Sequence, residues 1–306
     1  MNATETLHNR IRELARERDA VILAHNYTHA EVQDVADFVG DSLQLSVEAK
    51  NAKASTIVFC GVRFMAETAK LLSPGATVLH PVAAAGCPMA DMAPAEKVAQ
   101  WRAAHPDHVI VAYVNSTAPC KAQVDVCCTS ANAEKIVRSI PADRKIMFLP
   151  DRNLGANVMA ATGREMELWP GFCPTHNRIE PAMVLAARAA HPEAEFICHP
   201  ECLPAVVALA DAALSTAGML RHVRETKARE VIVGTERGIL HRMRKEAPGK
   251  ILHELAPSPT CPNMKKIELE DVLRALETMS PRVELDPALV ERARLPIDRM
   301  LELSAK

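Results

Sequence analysis

Apolar and polar residues recur along this chain in a few repeated patterns. Leu7, Ile11, Leu14 and Ala15 fall at helical spacing within a polar N-terminal stretch, predicting an amphipathic helix. Three short apolar runs follow: RDAVILAHNY (18–27), AAHPDHVIVAYVN (103–115) and AAHPEAEFICHPE (189–201). Apolar, β-rich runs of this length with polar flanks have the form of buried parallel strands. The last two align at an offset of 86 residues and share Ala-Ala-His-Pro with an acid before the apolar core. A second strand is predicted downstream of each (STIVFCG, RKIMFLP, REVIVGT), then a third (ATVLHP, EMELWP, KILHEL), of which EMELWP has the poorest pattern.

A cysteine followed by proline closes each stretch: Cys87-Pro88, Cys173-Pro174 and Cys261-Pro262, 86 and 88 residues apart. Each copy reads strand, helix, strand, helix, strand and a loop bearing Cys-Pro, an alternation that argues for α/β units with parallel sheets. The predicted boundaries are 1–86, with the N-terminal helix, 87–172 and 173–260. Residues 261–306 hold the third cysteine and C-terminal helices (LEDVLRALETM, ALVERARLPIDRMLEL) expected to pack outside the repeats.

Ligands of open α/β sheets bind beyond the carboxyl ends of the strands. There the repeat places polar residues in register: His25 and Tyr27, Tyr113 and Asn115, His199 and Glu201. An acid five residues before a hydroxyl also recurs, as Asp37 and Ser42, Asp125 and Ser130, Asp211 and Thr216. Taken singly, such residues are ordinary loop polarity or helix caps. In three registered copies that include both tyrosines of the chain, they read as a common centre.

Composition narrows the chemistry. Apolar residues at 48% suffice for a large core, and charged residues at 24% with net charge -2 leave no basic run for a nucleic-acid backbone. The N-terminus lacks the apolar core of a signal peptide, and no window of about 18 apolar residues offers a membrane span. A cytosolic protein is expected, with no membrane and no nucleic-acid partner. In a reducing compartment its nine cysteines are read as metal ligands or buried thiols rather than disulfides.

The chain has no Cys-x-x-Cys knuckle of the kind structural zinc uses. Thiolates also suit iron–sulfur clusters, and three related cysteines would leave one iron of a cubane without a protein ligand. An open iron suits Lewis-acid chemistry on a hydroxyl or carboxylate. Cys60, Cys127 and Cys128 read as core thiols, and Cys120 and Cys202 have no assigned role. A cluster-dependent hydro-lyase and a non-catalytic iron–sulfur sensor or electron carrier remain as alternatives. The close cysteine spacing of radical S-adenosylmethionine enzymes is missing.

The segments AHNYTHAEVQDVADFVGDS, AGCPMADM, YVNST, CCTSAN, PDRNLG, WPGFCPTH, CHPEC and TCPNMK, in this order and spacing, resemble the quinolinate synthase family. The resemblance runs from about residue 20 to 265. It implies three pseudo-symmetric three-layer α/β/α domains with short parallel sheets around a central iron–sulfur site, an oxygen-sensitive [4Fe-4S] cluster with ligands Cys87, Cys173 and Cys261 and one open iron. It implies condensation of iminoaspartate with dihydroxyacetone phosphate to quinolinate in de novo NAD biosynthesis. An L-aspartate oxidase or aspartate dehydrogenase would supply the iminoaspartate. Matched motif by motif, His25, Ser42, Tyr113, Asn115, Ser130, His199, Glu201, Ser215 and Thr216 would bind substrate, with Tyr27 beside them. Thr175 stands where many relatives carry an aliphatic residue. Cys261 is followed by Pro-Asn-Met, without the C-terminal Cys-x-x-Cys that some relatives have.

The residues themselves fit that reading. With no Walker loop and no GxGxxG, anionic substrates must be held by hydroxyls, His, Asn and backbone amides. Condensation and dehydration need proton transfer, for which His199, Glu201, Tyr113 and Tyr27 offer groups of differing acidity. Glu201, the only carboxylate among the aligned pairs, is expected to be the principal acid/base.

Overall fold

The computed structural model describes residues 3–305. The described residues contain three parallel four-stranded sheets, one for each copy of the repeat. The first holds Ala20–His25 (β1), Phe38–Gly40 (β2), Thr56–Cys60 (β3) and Thr77–Leu79 (β4). In the second lie His108–Tyr113 (β5), Val126–Cys128 (β6), Lys145–Leu149 (β7) and Glu167–Leu168 (β8). Glu195–Cys198 (β9), Ala212–Ala213 (β10), Glu230–Gly234 (β11) and Ile251–Glu254 (β12) form the third. All three share one order, β2-β1-β3-β4, β6-β5-β7-β8 and β10-β9-β11-β12. The order reverses beside the first strand, so the crevice for a ligand lies at its carboxyl end.

The expected three strands per copy are present, and each sheet has a fourth. β2, β6 and β10 are only two or three residues long, too short to show a period. Each is held by the recurring acid. The Asp37 carboxylate accepts from Ile22 N at 2.8 Å, Asp125 from Ile110 N at 2.8 Å, and Asp211 from Phe196 N at 2.7 Å. The same three aspartates donate their backbone N–H to the carbonyls of Ile22, Ile110 and Phe196. They therefore pin the edge strand to its neighbour and stand apart from the hydroxyls five residues on. Arg102 and Arg188 add 2.7 Å ion pairs to Asp125 and Asp211.

The chain forms two compact units. One comprises residues up to 87 and 261–294; the other comprises 88–260 and 295 onward. In the first, the helix Ala3–Glu17 lays Ile11, Leu14 and Ala15 on β1 and β3, where Ile22, Ala24, Val58 and Cys60 meet them. The helix Leu269–Thr278 contributes Leu269, Val272, Ala275 and Leu276 to the same core, so this C-terminal helix is part of the first unit's interior rather than outside the repeats. Val283 N donates to Val78 O at 2.8 Å, which covers the edge of β4. In the second unit, Phe196, Cys198 and Ile232 pack with Ile179, Val184 and Val206 on one face of the third sheet. In the same unit Ser304 Oγ, near the end of the helix Pro287–Ala305, accepts from Asn132 Nδ2 at 2.7 Å.

Candidate active site

In the second unit the carboxyl ends of β5, β7, β9 and β11 bring a buried polar network together. Tyr113, the last residue of β5, donates from its hydroxyl to Glu201 Oε1 at 2.5 Å. His176 Nδ1 lies 2.7 Å from Glu201 Oε2, and its Nε2 lies 2.8 Å from Thr235 Oγ1. A carboxylate only accepts, so Nδ1 carries the hydrogen and Nε2 receives the Thr235 hydroxyl. Carboxylate, imidazole and hydroxyl thus form an orienter–base–hydroxyl chain. The same Nδ1 is 3.3 Å from Cys173 Sγ. Cys173, His176 and Glu201 each offer a ligand atom within 4.8 Å of the others.

His199, at the end of β9, stacks on His176 with ring centroids 4.7 Å apart. Its Nδ1 accepts from Glu201 N at 3.3 Å, so its Nε2–H is directed to Ser130 Oγ at 3.2 Å. The first unit repeats this device: His25 Nδ1 accepts from Tyr27 N at 3.2 Å, and the His25 ring meets Tyr27 edge-on at 4.6 Å. Ser42 opens the helix Ser42–Asn51, whose N-terminus is closed by Asp41. Ser215 caps the helix Thr216–Glu225, leaving Thr216 at the equivalent first turn. Asn115 Oδ1 is buried without a hydrogen-bond partner, an acceptor left over for a ligand.

The cysteine loops are held firmly. Cys173 N donates to Asp151 Oδ2 at 3.0 Å, while Asp151 Oδ1 caps the helix Arg152–Thr162 through Leu154 N at 2.8 Å. Gly171 makes this approach possible, because a Cβ there would collide with the Pro150 carbonyl. In the first unit Lys265, four residues past Cys261, donates to the carbonyl of Tyr27. Its neighbour Lys266 donates to Ala84 O at 2.9 Å, on the loop that leads to Cys87. Of the nine cysteines, Cys87, Cys173 and Cys261 are the three that are partly exposed. Burial pushes Cys60 and Cys127 up to about 12 and Cys120 to about 11, and raises Cys128 and Cys202. Cys120 and Cys202 are therefore core thiols of low reactivity.

The electrostatics follow from depth. Burial alone would raise the Glu201 carboxyl, but the hydrogen bonds from His176 and Tyr113 hold it below the usual carboxylate range. Burial and the charge of Glu201 raise Tyr113 well above an ordinary phenol. Burial also takes His199 down to about 3, leaving the ring neutral. Asp151 is raised to about 7, first by burial and then by Glu201. The Glu201 carboxylate is thus shared by two hydrogen-bond donors, Tyr113 and His176, while the Tyr113 phenol and the His199 ring stay neutral.

The geometry brings Tyr113, Ser130, His199 and Glu201 together, and it places His25, Tyr27 and Ser42 at the corresponding edge of the first sheet. The site also holds His176, Asp151, Asn153 and Thr235, none of which belongs to the registered polar pairs. Asn153 Nδ2 donates to Glu201 O at 3.2 Å and so fixes that loop. The available signal for His176 was the Cys-x-x-His spacing of WPGFCPTH; its counterparts three residues after the other cysteines are Ala90 and Met264.

Three parallel α/β sheets, of which the second and third carry a buried Glu201 network edged by Cys173, define an α/β protein with an enzyme-type site. The family model for "Quinolinate synthetase A protein" matches residues 9–302, and the chain belongs to that family. It is 50% identical over 299 residues to a quinolinate synthase of Geobacter metallireducens, covering 98% of each chain. With a quinolinate synthase of Pelobacter propionicus it shares 51% identity over 296 residues, 96% of this chain and 97% of the relative. With one from Desulforudis audaxviator the identity is 50% over 303 residues, 99% of this chain and 100% of the relative. No helix among the described residues is long and apolar enough to cross a membrane.

Proposed function

We propose that this chain is a cytoplasmic quinolinate synthase of de novo NAD biosynthesis. It condenses iminoaspartate with dihydroxyacetone phosphate to quinolinate, releasing phosphate and two waters. Iminoaspartate would come from an L-aspartate oxidase or an aspartate dehydrogenase. The observation that carries this reading is the Tyr113–Glu201–His176–Thr235 hydrogen-bond chain beside Cys173.

The donor set suits the proposed cofactor. Cys87, Cys173 and Cys261, the three partly exposed thiols, would hold a [4Fe-4S] cluster with one iron open. The raised, buried thiols are poor competitors for it. When bound, the cluster supplies Lewis-acid chemistry at its open iron.

The protein's own groups do the rest. Glu201 is the acid–base centre, exchanging the protons it already shares with Tyr113 and His176. His176 Nε2, oriented by Glu201, takes the proton of the Thr235 hydroxyl or of a substrate hydroxyl in its place. Neutral His199 donates from Nε2–H, now held by Ser130, to a substrate oxygen. His25, Ser42, Ser130, Ser215 and Thr216 bind the carboxylates and phosphate, Asn115 Oδ1 accepts from a substrate O–H or N–H, and Tyr27 lies beside His25. Anaerobic reconstitution followed by mass-spectrometric detection of quinolinate from the two substrates tests the proposal. Turnover is expected only with iron and sulfide loaded. A fully loaded protein that makes no quinolinate would overturn it.

A further inference from the structure

We propose that His191, Glu230 and His253 form a binding site for a borderline divalent cation of the zinc class, separate from the acid–base network. Each residue offers one ligand atom, and these atoms all lie within 4.8 Å of one another. Glu230 Oε2 is 2.8 Å from His253 Nε2, and the rings of His191 and His253 stack with centroids 3.5 Å apart at 18°. All three side chains are half-buried, accessible to an ion yet held by structure.

Three separate elements supply them. His191 ends the helix Pro181–Ala190, donating its N–H to Ala187 O at 2.9 Å, and its carbonyl accepts from Ala194 N at 3.1 Å just before β9. Glu230 is the first residue of β11. His253 lies on the edge strand β12, in register with Ile232. The cluster is thus near the amino end of β11, whereas Thr235 follows its carboxyl end. Glu230 and Thr235 are five positions apart, about 16 Å along the strand.

Two nitrogens and one carboxylate oxygen suit zinc and its neighbours in the first transition row. Magnesium and calcium, which take six or more oxygen ligands, are disfavoured. A water would complete a tetrahedral set. The other two sheets provide an internal contrast. In the second sheet the corresponding positions hold His105, Lys145 and Glu167. There Lys145 pairs with Asp107 at 3.3 Å and Glu167 is bound to His108 at 2.9 Å. An ammonium group in the place of Glu230 repels a cation. The first sheet has Glu17, Thr56 and Leu79 at these positions. Only the third copy assembles three donors. A cation held there ties the turn before β9 to the edge strand β12.

Cobalt(II) is the probe, added anaerobically to the cluster-loaded protein. One cobalt per chain is expected, with ligand-field bands in the visible and no thiolate-to-cobalt charge-transfer band. Zinc(II) should displace it. His191→Ala, Glu230→Gln and His253→Gln should each weaken binding by about 10- to 100-fold, at least the scale known for ligand-supporting residues. Unchanged cluster absorbance and circular dichroism show that each variant folds, and the mildest of the three, Glu230→Gln, suffices alone. Failure to bind cobalt stoichiometrically, or wild-type affinity retained by any one of the three variants, would overturn the site. A thiolate band that persists in the variants would likewise assign the metal to cysteines.

Discussion

Replacing Glu201 by glutamine alters one atom of the side chain and inverts the hydrogen bonding around it. The carboxylate now accepts from Tyr113 at 2.5 Å and from His176 at 2.7 Å. Hydrogen bonds to an ionised acceptor contribute roughly 1.5–3 kcal/mol each, and an amide can replace only one of these acceptors. If the amide oxygen faces Tyr113, its NH2 meets His176 Nδ1. The ring must then carry its hydrogen on Nε2, and the Thr235 hydroxyl loses its base. If the amide is turned round, Tyr113 loses the acceptor of its proton. Either way one proton path closes, a loss of about 10²- to 10⁴-fold in kcat, or roughly 3–5 kcal/mol of barrier. The assay is anaerobic turnover of cluster-loaded Glu201→Gln with both substrates, with iron content measured on the same sample. Full cluster and kcat within about threefold of wild type, under 1 kcal/mol of barrier, would show that Glu201 is not the acid–base centre.

Two other consequences are independent of turnover. Asp211→Ala leaves Phe196 N–H without the 2.7 Å acceptor that joins β10 to β9. It should cost about 1–3 kcal/mol, read as a lower unfolding midpoint, with the same direction for Asp37→Ala and Asp125→Ala; an unshifted midpoint in all three would contradict the pinning role. His199 is held near 3 in the folded protein, below the ordinary histidine value, so the unfolded chain binds a proton that the folded chain refuses. Stability linked to His199 is therefore present above about pH 6.5 and lost as pH falls below it, by about 2 kcal/mol at pH 5. His199→Gln should flatten the fall in thermal midpoint between pH 7 and pH 5 relative to wild type, and parallel curves would sink the assignment.

Much of this architecture was legible because it is repeated. Three apolar runs in register located β1, β5 and β9. What escaped notice has physical causes. β2, β6 and β10 offer two or three residues each, below any detectable period. Their aspartates were visible, but sequence spacing set them beside hydroxyls, while folding turns them back onto the neighbouring strand. His176 and Thr235 occur in one copy only: Gly61 and Pro150 occupy the place of Thr235 in the other two. A threefold repeat shows in the sequence, whereas residues that make one copy chemically distinct have no counterpart to mark them. The helix Leu269–Thr278 looked peripheral because it follows the last repeat, yet its apolar stripe completes the core of the first sheet.

We propose that Cys87, Cys173 and Cys261, the partly exposed thiols, hold an iron–sulfur cluster. The most direct test is iron and acid-labile sulfide per chain, with visible absorbance, in anaerobically reconstituted Cys87→Ala, Cys173→Ala, Cys261→Ala and Cys60→Ala proteins. Loss of the brown cluster in the first three and full retention in Cys60→Ala is the predicted result. A complete cluster in any of the first three would contradict it.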